Sequence, residues 1–329
     1  MKSYTIGFDV GGTRLKSGAV TRDGALLAES ITSSGANLGP LELFETLGRE
    51  VNRISGKLRA KPLAIGLGLP GAVDPRRGVV LLPGKLKGLE GFPIVPKLEK
   101  ATGVPIIADN DGRISIVAEK NYGLARGKKW AVAITIGTGV GSGVLLDGQI
   151  LRDSHLQFGT QLSHIVMQTA GGKLCLTGAR GTAETLCSAT ALATEVRDGL
   201  QRGILSVLSD RYFADPHSID FAAVLEGVQK RDRLCMDGLK RWTENLGWFL
   251  VSAVHAYAPE VIILSGGATN ASRYFLKQLR RHVSQHIFRY PVGQQVPILI
   301  SRMRDHAGVL GAAALAWDHL EQVTASQNA

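Results

Sequence analysis

Cysteine is scarce in this chain. Cys175, Cys187 and Cys235 are the only three in 329 residues, too few and too scattered for a disulfide framework, which points to a reducing cytoplasm. No apolar run is long enough to span a bilayer, so no membrane partner is expected. The opening "MKSYTIGFDV" lacks the basic-then-apolar profile of a signal peptide and reads directly as a strand. No helix-turn-helix segment or zinc finger precedes that strand. The formal charge of +10 is spread along the chain, and its densest stretch, "KQLRRHVSQHIFR", reads as the solvated face of an amphipathic helix. Charge of this kind predicts solubility and steering, and nucleic acid is not an expected partner.

What the chain does contain is globular: 44% hydrophobic and 20% charged residues. Its length exceeds what one hydrophobic core usually supports, so two domains are expected. The first stretch reads as a meander of strands, "YTIGFDVGG", "LKSGAVT" and "ALLAES", followed by a helix in which Leu41, Leu43, Phe44, Leu47 and Val51 recur at helical spacing. "LAIGLGLPG" and "VPIIADND" read as buried strands, and "GRISIVAEKNYG" as a helix closed by Gly123. The pattern then restarts with "WAVAITIGTGVGSGVLLDGQIL", again strand, glycine turn, strand. A helix "NLGWFLVSAVHAYA", strands "EVIILSGG" and "VPILISRM", and a last helix "AGVLGAAALAWDHL" complete the pass.

Glycine is abundant, at 40 residues, and two of its clusters carry chemistry. In "FDVGGTRLKSG" and "TIGTGVGSG" the residues after the glycines read as strands. A dinucleotide fold needs its glycine loop to open a helix, so that reading fails for both. A hairpin whose glycines let backbone N–H groups face an anion suits them better. Asp9 precedes the first loop, and a carboxylate beside a phosphate cradle can hold a magnesium ion.

In order along the chain, "DVGGT" from Asp9, "GLPGAVD" from Gly68, "DND" from Asp109, "TIGTGVGSG" from Thr135 and "LSGGA" resemble the ROK family of sugar kinases and repressors. The resemblance implies an α/β, two-domain, actin-like and hexokinase-like (ribonuclease H-like) fold with an interdomain cleft. It implies a small N-terminal domain over residues 1–112, a large one over 113–304, and a C-terminal helix over 305–329 returning to the small domain. By the same resemblance Asp9, Gly11, Gly12, Thr13 and Arg14 face the phosphates and magnesium of ATP, Thr138 and Gly139 form a second phosphate contact, and Gly266 and Gly267 lie near the adenosine. Asp111 is implied as the catalytic base, although an N-cap is the competing reading and Asp109 competes for that duty. Asn110 is implied to bind a sugar hydroxyl, with backbone contacts from Gly71 and Ala72.

Typical relatives carry a glutamate and histidine, then a cluster of three cysteines and a second glutamate; the histidine and cysteines bind zinc. Here Gln161 replaces the first glutamate, His164 and Cys175 remain, Thr177 and Thr182 replace the other cysteines, and Glu184 is kept. A neutral, hard hydroxyl is a poor substitute for thiolate, so no structural zinc is expected. Gln161, His164 and Glu184 are implied to hydrogen-bond the sugar. Further departures are Gly112 and Arg113, where relatives carry small or amide residues, and Lys85 in place of an asparagine.

The expected activity is ATP- and magnesium-dependent phosphorylation of a hexose, at the 6-hydroxyl of glucose or a related aldohexose. The alternatives are polyphosphate as donor and a non-catalytic sugar-binding or regulatory protein. Sugar and nucleotide are the expected partners, and a homodimer is expected from relatives.

Overall fold

The computed structural model describes residues 2–82, 86, 88–152, 161–288 and 295–327. By internal contacts the chain divides into two compact units. The first comprises Met1–Ala133, Gly143–Thr160 and Ser301–Ala329, the second Ile134–Ser142 and Gln161–Ile300.

The first unit is built on strands β1 (Thr5–Val10), β2 (Arg14–Val20), β3 (Leu26–Ser33), β4 (Ile65–Leu69) and β7 (Ile106–Asn110), in the order β3-β2-β1-β4-β7. A small hairpin, β5 (Ala72–Asp74) and β6 (Val79–Leu82), leaves the sheet after β4. Strands β1 and β2 pair antiparallel, whereas β1, β4 and β7 run parallel. Alternation gives each strand two faces. Ile6, Phe8 and Val10 of β1 join one core with helices α1 (Pro40–Leu58) and α2 (Ile94–Thr102). Helix α1 buries Leu43, Leu47, Val51 and Ile54, a stripe at helical spacing, and has Pro40 in its first turn, where the missing N–H costs nothing.

Helix α3 (Asp111–Tyr122) and the last helix lie on the other face, so α1 and α2 cover one side of the sheet and these two the other.

A second five-stranded sheet contains β8 (Ala131–Ile136), β9 (Val140–Leu146), β10 (Gln149–Ile150), β11 (Val261–Ser265) and β12 (Ile298–Ile300), ordered β10-β9-β8-β11-β12. The helices of the second unit are α4 (Ala183–Cys187), α5 (Ala189–Gln201), α6 (Ser209–Ala214), α7 (Phe221–Gln229), α8 (Arg233–Tyr257) and α9 (Ser272–His286). Trp242 of α8 anchors their packing. Its ring meets Phe221 and Phe275 edge-on at centroid distances of 5.9 and 5.2 Å, and its indole N–H is shared by the carbonyls of Cys187 and Ser188.

Helix α10 (Ala307–Gln327) returns to the first unit and packs on β1, β4 and α3. Its close approach depends on missing side chains. A Cβ on Gly7 would overlap the carbonyl of Val309, one on Gly66 the carbonyl of Ala312, and one on Gly311 the carbonyl of Ile114. Ala312, Ala313 and Ala314 supply the matching small face. Among the described residues, no helix is long and apolar enough to cross a membrane.

Candidate active site

Within the first unit, strand register brings several of the expected residues to one end of the sheet. Asp9 pairs with Gly68 across β1 and β4, and Gly68 pairs with Asp109 across β4 and β7. At a strand spacing of ~4.8 Å, β1 and β7 lie about 10 Å apart at this level. Asn110 and Asp111 follow at the carboxyl end of β7, and Gly71 and Ala72 follow at the carboxyl end of β4. The mouth beyond the carboxyl ends of parallel strands is where α/β folds bind ligands.

Residues 11–14 close the β1–β2 hairpin. The Gly11 N–H donates to the Arg14 carbonyl at 2.9 Å, and a Cβ on Gly11 would crowd that same oxygen. Ser34 fixes the loop from the side, its hydroxyl donating to the Gly12 carbonyl at 3.1 Å and its N–H to the Thr13 carbonyl at 3.1 Å. Thr13 and Arg14 are exposed. Asp9 is half-buried, and its carboxylate makes no hydrogen bond or salt bridge among the described residues. The start of α10 presses on it, since a Cβ on Gly308 would overlap its carboxyl group. Burial raises the Asp9 pKa above the usual aspartate value, and the charge of Lys16 offsets only part of that. A desolvated carboxylate whose charge is only partly offset fits a hard divalent ion such as magnesium.

The N-cap of α3 is Asn110. Its side-chain oxygen accepts the N–H groups of Gly112 at 2.9 Å and Arg113 at 3.3 Å, satisfying two orphan donors of the first turn. Its amide nitrogen donates to the Gly71 carbonyl at 2.8 Å and to Asp111 Oδ1 at 3.0 Å. Asp111 is exposed and also accepts the Gly112 N–H at 2.8 Å. Asp109 points the other way and is fully buried. Its Oδ1 accepts Arg113 Nε at 2.6 Å and its Oδ2 accepts Arg152 Nη2 at 2.5 Å. Arg113 was visible in the sequence as a departure; its pairing with Asp109 was not, and Arg152 carried no signal.

In the second unit the β8–β9 loop carries Thr138 and Gly139. The Gly137 N–H donates to the Gly139 carbonyl at 2.9 Å, and the Ala189 N–H to the Gly137 carbonyl at 2.9 Å. Thr190 Oγ1 donates to the Thr138 carbonyl at 2.7 Å. Glu184, expected to serve the sugar, meets this loop: its Oε2 accepts the Val140 N–H at 3.1 Å, and a Cβ on Gly139 would collide with the same carboxylate. Gly266 has φ +88, and a side chain there would overlap the backbone of Ile136, so glycine is required twice over. Gly267 is exposed, with open space around it. Thr135 and Ser265, at the facing ends of β8 and β11, share a hydroxyl–hydroxyl bond of 2.9 Å.

The loop from Gln161 to Glu184 folds back on itself. An antiparallel bridge joins Val166 to Thr182, and the Ala183 N–H donates to the Ile165 carbonyl at 3.0 Å, so the chain beside His164 lies along the chain beside Glu184. His164 Nδ1 lies 3.5 Å from Cys175 Sγ. Gln161 is half-buried, and its carbonyl accepts the His164 N–H at 3.0 Å. Thr177 is exposed, while Thr182 is buried and its hydroxyl has no partner among the described residues. Among the described residues no group of three or more His, Cys, Asp or Glu side chains is arranged to hold a metal. Lys85 lies outside the described residues.

The ROK family model matches residues 5–319. A glucokinase of Thermotoga maritima is 29% identical over 95% of this chain and 97% of its own length. A glucokinase of Halalkalibacterium halodurans is 30% identical over 95% of this chain and 94% of its own. Among solved structures, a ROK hexokinase from Thermus thermophilus matches with a TM-score of 0.80 and 28% identity, covering 97% of this chain and 99% of that one. The fold is the actin-like, hexokinase-like two-domain α/β fold expected from the ordered motifs. The chain belongs to the ROK family.

Proposed function

We propose that this chain, a sugar kinase of the ROK family, transfers the terminal phosphoryl group of ATP to the 6-hydroxyl of an aldohexose, glucose foremost. The observation that carries the reading is that Asp9 and Asp111 stand at the same end of the parallel strands β1 and β7, which flank β4. Phosphoryl transfer asks little covalent work of the protein. It needs the acceptor oxygen in line, the phosphate charge neutralised and a carboxylate to take the hydroxyl proton.

Asp111 takes that proton. Its Oδ1 is held by Asn110 Nδ2 and the Gly112 N–H, which fixes the carboxylate plane at the helix start. Asn110 and the backbone of Gly71 and Ala72 orient the sugar; a hydroxyl that bonds Asn110 Nδ2 takes the place of the Gly71 carbonyl there. Gln161, His164 and Glu184 recognise further hydroxyls. The Gln161 amide offers a donor as well as an acceptor where a carboxylate offers acceptors alone. Gly11, whose N–H is held by the Arg14 carbonyl, shapes the first loop; backbone N–H groups of Gly12, Thr13 and Arg14, and of Thr138 and Gly139, receive the phosphates, and Gly266 and Gly267 leave room for the nucleoside. Asp9 would hold magnesium, which when bound screens the charge of the phosphates.

The names of the glucokinase relatives support glucose as acceptor. Three free, buried thiols support a reducing, cytoplasmic setting, and the family resemblance supports a homodimer. The test is a donor-by-acceptor panel: hexoses, amino sugars and ketoses with magnesium and either ATP or polyphosphate. Glucose-dependent release of ADP is expected. Turnover with polyphosphate alone would replace the donor, and saturable sugar binding with neither donor used would leave a sugar-binding protein.

A further inference from the structure

We infer that Arg113 is a positioning residue for the phosphoryl-transfer site, acting through Asp109. The inference rests on the sugar-kinase reading above. Arg113 is only 1% exposed and Asp109 wholly buried. A buried ion pair is a weak route to stability, because desolvating both charges costs about what their attraction returns. Its presence calls for another account, and the bonds around it supply one.

The Arg113 guanidinium ties together three segments of the first unit. Its Nε donates to Asp109 Oδ1 at 2.6 Å, and its Nη2 donates to the Val73 carbonyl at 3.3 Å. Its own backbone N–H donates to Asn110 Oδ1 at 3.3 Å. Asp109 Oδ1 in turn accepts the Asn110 N–H at 2.7 Å, and Asn110 Nδ2 reaches Gly71 and Asp111. One fork thus fixes the β4–β5 connection that carries Gly71 and Ala72 and the β7–α3 junction that carries Asn110 and Asp111. Arg152 braces the far side of the same carboxylate from the segment after β10. Loosening the fork lets the base and the sugar-contacting backbone drift independently, and a misplacement of about 1 Å at a reacting centre costs on the order of 100-fold in rate.

The experiment compares wild type, R113M, D109N and the double variant D109N/R113M for kcat, sugar KM and Tm. R113M leaves Asp109 paired with Arg152, D109N leaves both guanidiniums without that carboxylate, and each is expected to lose stability as well as activity. The double variant removes the wholly buried pair and leaves Arg152, whose side chain is 22% exposed, so its Tm is expected to recover above that of D109N while kcat stays at least 10-fold down. R113K, which keeps the charge but not the fork, is expected to fall in kcat likewise. A double variant that regains kcat together with Tm would make the pair a structural one and overturn the inference. So would an R113M enzyme with wild-type kcat and KM. A wild-type protein with no hexose-dependent phosphoryl transfer overturns the sugar-kinase reading and this inference with it, whereas an active wild type with unaffected variants overturns the inference alone.

Discussion

Replacing Asp111 by asparagine separates folding from chemistry. The carboxylate is exposed at the first position of α3, and its Oδ1 accepts from Asn110 Nδ2 at 3.0 Å and from the Gly112 N–H at 2.8 Å. Asparagine retains an oxygen that can accept both. The N-cap itself is Asn110 and is untouched. What the fold loses is one negative charge at a helix N-terminus, ~0.3–1 kcal/mol. At ~2–4 °C per kcal/mol for a chain of this class, Tm falls by at most about 4 °C. Losing a general base costs about 10²- to 10⁴-fold in rate. Asp111→Asn is therefore expected to keep its melting curve and its calorimetric affinity for the sugar while kcat, followed as ADP release, falls at least 100-fold. A variant that keeps more than a tenth of wild-type kcat would refute the assignment of Asp111 as base. Loss of sugar binding along with activity would instead make Asp111 a recognition residue.

Asp9→Asn tests the proposed ion site. Because burial raises the Asp9 pKa, protonation competes with the cation at a higher pH than for an ordinary aspartate. Affinity for magnesium nucleotide therefore weakens as pH falls toward the raised value. Calorimetry on Asp9→Asn should give weak binding with little pH dependence, and wild-type affinity in that variant would remove Asp9 from the site. For the loop between Gln161 and Glu184, purified protein is expected to carry no stoichiometric zinc. A T177C/T182C variant is expected to gain it, since His164 and Cys175 already lie 3.5 Å apart; elemental analysis finding about one zinc per wild-type chain would contradict this. Gly66→Ala pushes a methyl into the Ala312 carbonyl and is expected to cost at least ~1–3 kcal/mol in urea unfolding. Gly48→Ala, in α1 with open space around it, is expected to stabilise by up to ~1 kcal/mol. Equal effects from the two would show that α10 does not need the glycine.

The open hairpins, the parallel strands and the helices α1, α3 and α10 were legible because each repeats one local rule over many residues. Leu43, Leu47 and Val51 of the expected stripe are buried in α1, whereas Leu41, placed on the same stripe, is exposed in its first turn. The glycines were legible only in part. Clusters such as Gly11–Gly12 read as ligand loops, but Gly7 and Gly66, placed singly in strands, signal no more than a weak strand position. Their reason is α10, which begins about 240 residues after Gly66 in sequence and rests its carbonyls where side chains would stand. A packing constraint set by so distant a segment leaves no local trace. The hairpin β5–β6 and the short helices α4, α6 and α7 were missed for a related reason, being too brief for periodicity to outweigh noise.

Three consecutive polar residues, Asp109, Asn110 and Asp111, compete for the same duties in the sequence, and backbone geometry separates them. Strand alternation turns Asp109 inward, where only a guanidinium partner makes a buried carboxylate tolerable. Asn110 sits at the junction with extended φ and ψ of −66 and 141, the conformation from which a side-chain oxygen reaches the N–H groups two and three residues on. Helix geometry then carries Asp111 outward. The capping reading of Asp111 thereby loses its purpose, because the cap is already made. The remaining fold-level reason for an acid there is its charge at the helix N-terminus, which any acidic side chain on the first turn would supply equally well. A proton acceptor, by contrast, must stand at one place relative to the sugar, so Asp111→Glu, which keeps the charge on the first turn but moves the carboxylate by one methylene, should preserve stability and lower turnover at least 10-fold. Retained turnover in that variant would return Asp111 to the role of helix-end charge.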